Sequence, residues 1–187
     1  MFRDLLCRLA DELSNQNVPY MIIGGQAVLL YGEPRLTKDI DIALGMGIDG
    51  LERIENVATA LALKALVDDI GQFVIETMVY PVLEEKSGIR VDFIFSFSPY
   101  EKQAIKRAKN IDMGKSKVRF AALEDVLIHK IFAGRARDME DAKSILLKNP
   151  DHDEQYILKW LEEFDRSLDE GFVNKFRNLA QSIKDET

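Results

Sequence analysis

Apolar residues at Phe2, Leu5, Leu6, Leu9 and Leu13 recur at helical spacing and predict an amphipathic helix over residues 2–15. A short apolar strand follows at 18–23, entered through Pro19, and then a short helix at 26–31. Gly32, Pro34 and their neighbours punctuate a loop. A second strand spans 39–44 and stops at Gly45-Met46-Gly47, and a helix is predicted over 51–67. The interval 73–97 reads as β-rich. Its two apolar runs flank the polar turn 84–88, which suggests a hairpin. Beyond Ser98 the pattern turns mostly helical: 99–108, 123–132, 138–147, a helix through Phe164 capped by Asp151 or Asp153, and a last one over 170–183. Only 118–121 there reads as a strand. The fold class is therefore α/β (α+β), with a helical C-terminal extension. Residues 1–121 are expected to form the core, and 122–187 a helical region packed on it.

One strand carries an unusual feature. Side chains alternate along a strand, so Asp39 and Asp41 share a face while Ile40 and Ile42 take the other. Packing gives no reason to set two carboxylates side by side, and they repel unless a cation lies between them. Magnesium suits such a pair, because it takes oxygen ligands from one or two carboxylates plus substrate phosphates. Upstream, Gly24 and Gly25 lack Cβ atoms, so their backbone can approach a ligand closely, and a helix N-terminus after them favours anions. Together these residues describe a site for a metal-bound nucleoside triphosphate. Asp92 is a third acid, alone among large apolar residues in Arg90-Val91-Asp92-Phe93-Ile94-Phe95. It is either a water-facing position on an edge strand or a third carboxylate beside Asp39 and Asp41.

Thirteen residues separate Gly24-Gly25 from Asp39-Ile40-Asp41. This arrangement resembles the nucleotidyltransferase superfamily, the polymerase-β-like fold. The resemblance runs over roughly 18–147 and implies a small twisted mixed sheet with an appended helical bundle. It also implies an enzyme that moves a nucleoside monophosphate from a nucleoside triphosphate (NTP) to a hydroxyl. Asp39, Asp41 and Asp92 would bind metal, with two Mg2+ ions when NTP is bound, and Asp92 would act as general base. Gly24, Gly25, Arg35 and Thr37 would bind the nucleotide, since an Arg-x-Thr precedes the aspartates in relatives.

Further along, Lys130-Ile131-Phe132-Ala133 is followed by Arg137-Asp138-Met139-Glu140-Asp141. This pairing is similar to the last motifs of the AbiEii-like toxins. It implies that Lys130 contacts the triphosphate, that Asp138 joins it in the active site, and that Arg137 and Asp141 support them. Read without the resemblance, Lys130 is a snorkelling surface lysine, and the aspartates are helix N-terminal charges favoured by the dipole. The toxin resemblance further implies tRNA or another RNA as acceptor and a cognate antitoxin protein as partner. Other acceptors fit the same core: a small molecule, as in aminoglycoside nucleotidyltransferases, or a protein side chain. A non-catalytic nucleotide sensor is the reading from another class.

The remaining chemistry narrows the choice. The only histidines, His129 and His152, have no partner at metal spacing, so a zinc site is rejected. No Walker-type loop or Gly-x-Gly-x-x-Gly occurs. Cys7 is the single cysteine, which excludes an internal disulfide and suits a reducing cytoplasm. There is neither a signal-peptide pattern nor an apolar run approaching the roughly 18 residues of a membrane span. A cytoplasmic protein with no membrane partner is expected. With 187 residues, 47% of them hydrophobic, the chain can build a real core. Its net charge of -7 argues against bulk binding of nucleic acid. Yet seven basic residues face one acidic residue between Lys102 and Arg119, whereas ten acidic and five basic residues follow from Asp151. The basic stretch could hold substrate phosphates, or it could be a solvated helix side beside an edge strand guarded by lysines.

Overall fold

The two runs Asp39–Leu44 and Ile89–Phe95 lie side by side in the interior of a mixed sheet. The structure is a computed structural model and describes residues 2–96 and 98–186. These residues form two compact units. One is the chain up to Gln26 together with Leu36–Ala121, and the other is Ala27–Arg35 together with the chain from Ala122 onward.

The first unit carries the sheet. Its strands are β1 (Tyr20–Ile23), β2 (Asp39–Leu44), β3 (Lys64–Ala65), β4 (Val79–Glu84), β5 (Ile89–Phe95), β6 (Lys109–Asp112) and β7 (Lys117–Phe120). They lie in the order β3-β4-β5-β2-β1-β7-β6. β2 pairs parallel with β5 and antiparallel with β1, β1 pairs parallel with β7, and β4 and β6 close their hairpins antiparallel. Burial follows the strand period where the acids lie. Ile40, Ile42, Val91, Phe93 and Phe95 are buried, while Asp39 is exposed and Asp41 and Asp92 are half-buried. The helices of this unit are α1 (Phe2–Asn15), α3 (Leu51–Ala60), α4 (Ile70–Thr77) and α5 (Pro99–Arg107). α1 buries Leu5, Leu6, Leu9 and Leu13, the stripe its periodicity marks, and Cys7 is buried with them. α5 starts with a capping box: the Ser98 hydroxyl accepts from the Glu101 N–H, and the Glu101 carboxylate accepts from the Ser98 N–H.

The structure corrects three parts of the sequence reading. First, the helix over 51–67 ends at Ala60. Ala62 takes a left-handed φ of 52°, and Lys64 and Ala65 then pair with Leu83 and Val82 of β4. Second, residues 73–77 are helical in α4 rather than extended. Asp69 caps the helix by accepting from the Gln72 N–H, Val74 is fully buried, and Met78 ends it at φ 60°. Caps and burial here override the β-branched composition. The far end of that expected interval, Phe97, lies outside the described residues. Third, β6 is absent from the sequence reading; it is a short polar strand at the sheet edge, where exposed Lys109 suits an edge position.

The second unit is helical. α2 (Gly24–Tyr31) begins in the first unit and contributes its remainder here, beside α6 (Leu123–Ala133), α7 (Ala136–Lys148), α8 (Glu154–Leu168) and α9 (Phe172–Glu186). Asp153 caps α8, accepting from the Tyr156 N–H at 3.0 Å. α8 and α9 each run a few residues beyond the predicted ends. Phe132, Phe164 and Phe172 pack ring on ring, with centroids 5.1 Å apart for the stacked Phe132–Phe172 pair. Among the described residues, no helix is long and apolar enough to cross a membrane.

Candidate active site

The strand acids are brought together by register. Asp41 of β2 stands opposite Asp92 of β5 across a parallel pair, and Asp39 stands opposite Arg90. On the other flank Asp41 is paired with Ile23, the last residue of β1. β5 lies between β4 and β2, so Asp92 occupies an interior strand and the edge-strand alternative is excluded. Its carboxylate accepts from Arg90 Nε at 2.8 Å, a cation two positions away on the same strand face.

Gly24 adjoins this group. Its φ is +62°, and a Cβ placed there would lie 1.8 Å from Asp41 Oδ2. Only glycine leaves room for that carboxylate against the turn between β1 and α2. Gly25 is buried in the first turn of α2. Among the described residues, no three or more His, Cys, Asp or Glu side chains gather into a ready metal cage. The donor set nonetheless fits magnesium. The ion needs only one or two carboxylates beside substrate phosphates, and Asp39 and Asp41 offer two hard oxygen donors on the exposed side of β2.

Thr37, read as a nucleotide ligand, has its hydroxyl engaged within the protein. It accepts from Gln26 Nε2 at 2.9 Å and donates to the Asp39 carbonyl at 3.1 Å. The sequence reading did not single out Gln26. An amide beside the apolar run Ala27-Val28-Leu29-Leu30 was the available signal, because a buried amide needs partners.

In the second unit the charged motif is a closed network. Lys130 Nζ lies 2.8 Å from Asp138 Oδ1 and 2.9 Å from Asp141 Oδ2, and all three side chains are buried. Arg35 forks onto Asp141 through Nε at 2.8 Å and a terminal nitrogen at 3.0 Å. Arg135 Nε approaches Asp138 Oδ2 at 2.6 Å. Lys130 is thus not a surface lysine, and Asp138 and Asp141 are more than helix N-terminal charges. Burial alone would push Asp138 up. Hydrogen bonds from Arg135 and Lys130, with their positive charges, overcome this and hold it below the usual carboxylate range. Asp138 is engaged by Arg135, a residue the sequence reading did not single out, and Arg137 is exposed. The i,i+3 spacing of Arg135 to Asp138 was legible in the sequence. The Arg35–Asp141 pair spans 106 positions and leaves no local signal.

His129, next to Lys130, keeps partial exposure but encloses its Nε2. Burial first, and then the charge of Lys130, lowers its pKa to about 4. It is neutral near pH 7, and His152 Nδ1 donates to the Asn149 carbonyl, 2.9 Å away. Among the described residues neither belongs to a metal cluster.

A family model described as "Nucleotidyl transferase of unknown function (DUF2204)" matches residues 2–184. No curated protein matches the sequence. Solved structures share the fold. An antigenic nucleotidyltransferase-like protein from Paracoccidioides brasiliensis aligns with a TM-score of 0.55 at 16% identity, over 97% of this chain and 91% of its own. ANT(2'')-Ia in complex with adenylyl-2''-tobramycin aligns with a TM-score of 0.53 at 15% identity, covering 78% of this chain and 87% of its own. JHP933 from Helicobacter pylori aligns with a TM-score of 0.51 at 16% identity, covering 92% and 76% respectively. At these identities the likeness is one of fold.

Proposed function

The chain belongs to the nucleotidyl transferase family whose model spans residues 2–184, and from that premise we propose that it transfers a nucleoside monophosphate from an NTP to a hydroxyl acceptor in a magnesium-dependent reaction. The observation that carries this reading is the register of Asp41 opposite Asp92, beside a glycine that alone leaves room for the Asp41 carboxylate.

In this reaction the acceptor oxygen attacks the α-phosphorus and the α–β bridging P–O bond breaks. Pyrophosphate leaves, and the hydroxyl proton passes to a carboxylate. Asp92, aligned by Arg90, is the residue proposed to take that proton. Asp39 and Asp41 would hold Mg2+, which when bound neutralises the triphosphate and stabilises the charge developing on its oxygens. The backbone of Gly24 and Gly25 would approach the phosphates at the start of α2. Lys130 and Arg35 are assigned to the triphosphate from the motif resemblance. Lys130 Nζ is already shared by Asp138 and Asp141, so a phosphate would have to compete with one of those carboxylates.

Two acceptor classes have separate support. The AbiEii-like resemblance and the basic stretch Lys102 to Arg119 favour tRNA or another RNA, and with it an antitoxin partner. The fold shared with ANT(2'')-Ia, solved with adenylyl-2''-tobramycin, favours a small molecule bearing hydroxyl groups. The test is a transfer assay with Mg2+, total cellular RNA and each α-labelled NTP in turn, beside Asp41→Ala. Label in tRNA-sized RNA, lost in the variant, identifies the RNA acceptor and the nucleotide. Label absent from RNA but appearing on an aminoglycoside identifies the second class. Transfer undiminished in Asp41→Ala overturns the assignment.

A further inference from the structure

Asp39 stands at an awkward place in the sheet. The β1–β2 ladder ends at the pair Ile23–Asp41, two residues short of it. β5 continues alongside, opposite Arg90, so among the strands β2 is supported there on one side only. A residue at such a strand start frays unless something else holds its backbone. Two nearly buried polar side chains are in position to do so: Gln26, 8% exposed, and Thr37, 7% exposed. The Gln26 amide donates to the Thr37 hydroxyl at 2.9 Å, and that hydroxyl donates onward to the Asp39 carbonyl at 3.1 Å. Gln26 directly follows Gly24-Gly25, so the relay begins at the glycine turn and ends on the backbone of the first strand acid.

We infer that Gln26 and Thr37 are positioning residues: their hydrogen-bond relay takes the place of the missing β1 partner and fixes Asp39 relative to the glycine turn. The inference rests on the metal-binding reading of Asp39 and Asp41. Thr37 then acts through Asp39 and does not itself touch the nucleotide, because its hydroxyl is engaged as both donor and acceptor. The relay asks for a hydroxyl at position 37, so serine serves and valine, of the same shape, does not.

The experiment titrates Mn2+ into the full-length protein with ATP present and follows free Mn2+ by electron paramagnetic resonance. It compares the wild type with Thr37→Val, Thr37→Ser, Gln26→Leu, the Gln26→Leu/Thr37→Val double variant and Asp41→Ala. Amide hydrogen exchange over Asp39 and Ile40 is read on the same proteins. Thr37→Val is expected to weaken Mn2+ binding about tenfold, the lower end of what loss of an indirect metal-site support costs. Exchange at Asp39 and Ile40 should speed up in the same variant. Thr37→Ser should restore both, and the double variant should bind no worse than either single one, because each breaks the same chain. Wild-type affinity in Thr37→Val, or equal loss in Thr37→Ser, overturns the relay while leaving the metal site standing. A wild type that binds no Mn2+, or an Asp41→Ala that binds it fully, overturns the metal-site reading and the relay's purpose with it.

Discussion

The two groups of aspartates in this protein live in opposite electrostatic conditions. Asp39, Asp41 and Asp92 sit on neighbouring strands, exposed or half-buried, and Asp92 is engaged by Arg90. Asp138 and Asp141 sit on one helix, buried, and are bound by Lys130, Arg35 and Arg135. A buried carboxylate is tolerable only when it is paired, so the helical acids are committed to one another's cations. The strand acids are exposed or half-buried and keep part of their surface toward solvent. Carboxylates within one chain therefore meet different surroundings: burial separates the helical acids from the strand acids.

The sharpest way to break this contrast is Lys130→Met. The change keeps the apolar stem and removes the charge, which leaves Asp138 and Asp141 buried with only their arginines. Unfolding in urea should show a loss of about 3–5 kcal/mol, the usual cost of removing one partner from a buried ion pair. A loss near zero would mean that water already solvates these acids, and the two groups would no longer differ.

Gly24→Ala probes the strand side with a smaller stability effect and a larger functional one. The left-handed φ of +62° costs about 1–3 kcal/mol for a residue with a side chain. The new methyl would also collide with the Asp41 carboxylate. Nucleotide transfer should fall by at least about 100-fold, the scale of losing one preorganised electrostatic partner. Equal activity in Gly24→Ala would show that Asp41 is free to move without consequence.

A further effect appears only in acid. His129 has its pKa lowered from 6.5 to about 4 in the folded chain, so below pH 6.5 the unfolded chain binds more protons and stability falls as pH drops toward 4. Asp138, also lowered, contributes stability that is present above its unfolded value and is lost at still lower pH as the carboxylate protonates, a change of the same sign. Melting temperatures of the wild type and His129→Gln between pH 7 and pH 4 should converge as the pH falls, because only the wild type carries the histidine penalty.

Much of the fold was legible because its signals are local. The leucine spacing of α1, the Asp-Ile-Asp-Ile alternation of β2 and the Pro99 start of α5 each act over a few residues. Where the reading failed, local preference lost to caps and tertiary burial. Val74 and Ile75 suggest a strand, yet α4 is set by the Asp69 cap and the left-handed Met78. β6 has almost no apolar pattern to read and exists because β7 pairs with it. The same division runs through the site. Residue type and strand period marked Gly24, Gly25, Asp39 and Asp41 as candidates and left Asp92 open, and the register then set Asp92 opposite Asp41. Asp138 and Asp141 beside Lys130 were expected from the motif resemblance, whereas Arg90 on Asp92 and Arg35 on Asp141 were not.

The sequence by itself determined the local spacing of glycines and carboxylates and the strand face that Asp39 and Asp41 share, because glycine turns and strand alternation act over a span of a few residues. Only the tertiary structure decided that β5 lies beside β2 with Asp92 opposite Asp41, and that Arg35 closes on Asp141 across 106 positions. It also decided that Thr37 turns inward to Asp39. Strand order and ion pairing between distant segments depend on which surfaces bury together, and no local pattern encodes that choice.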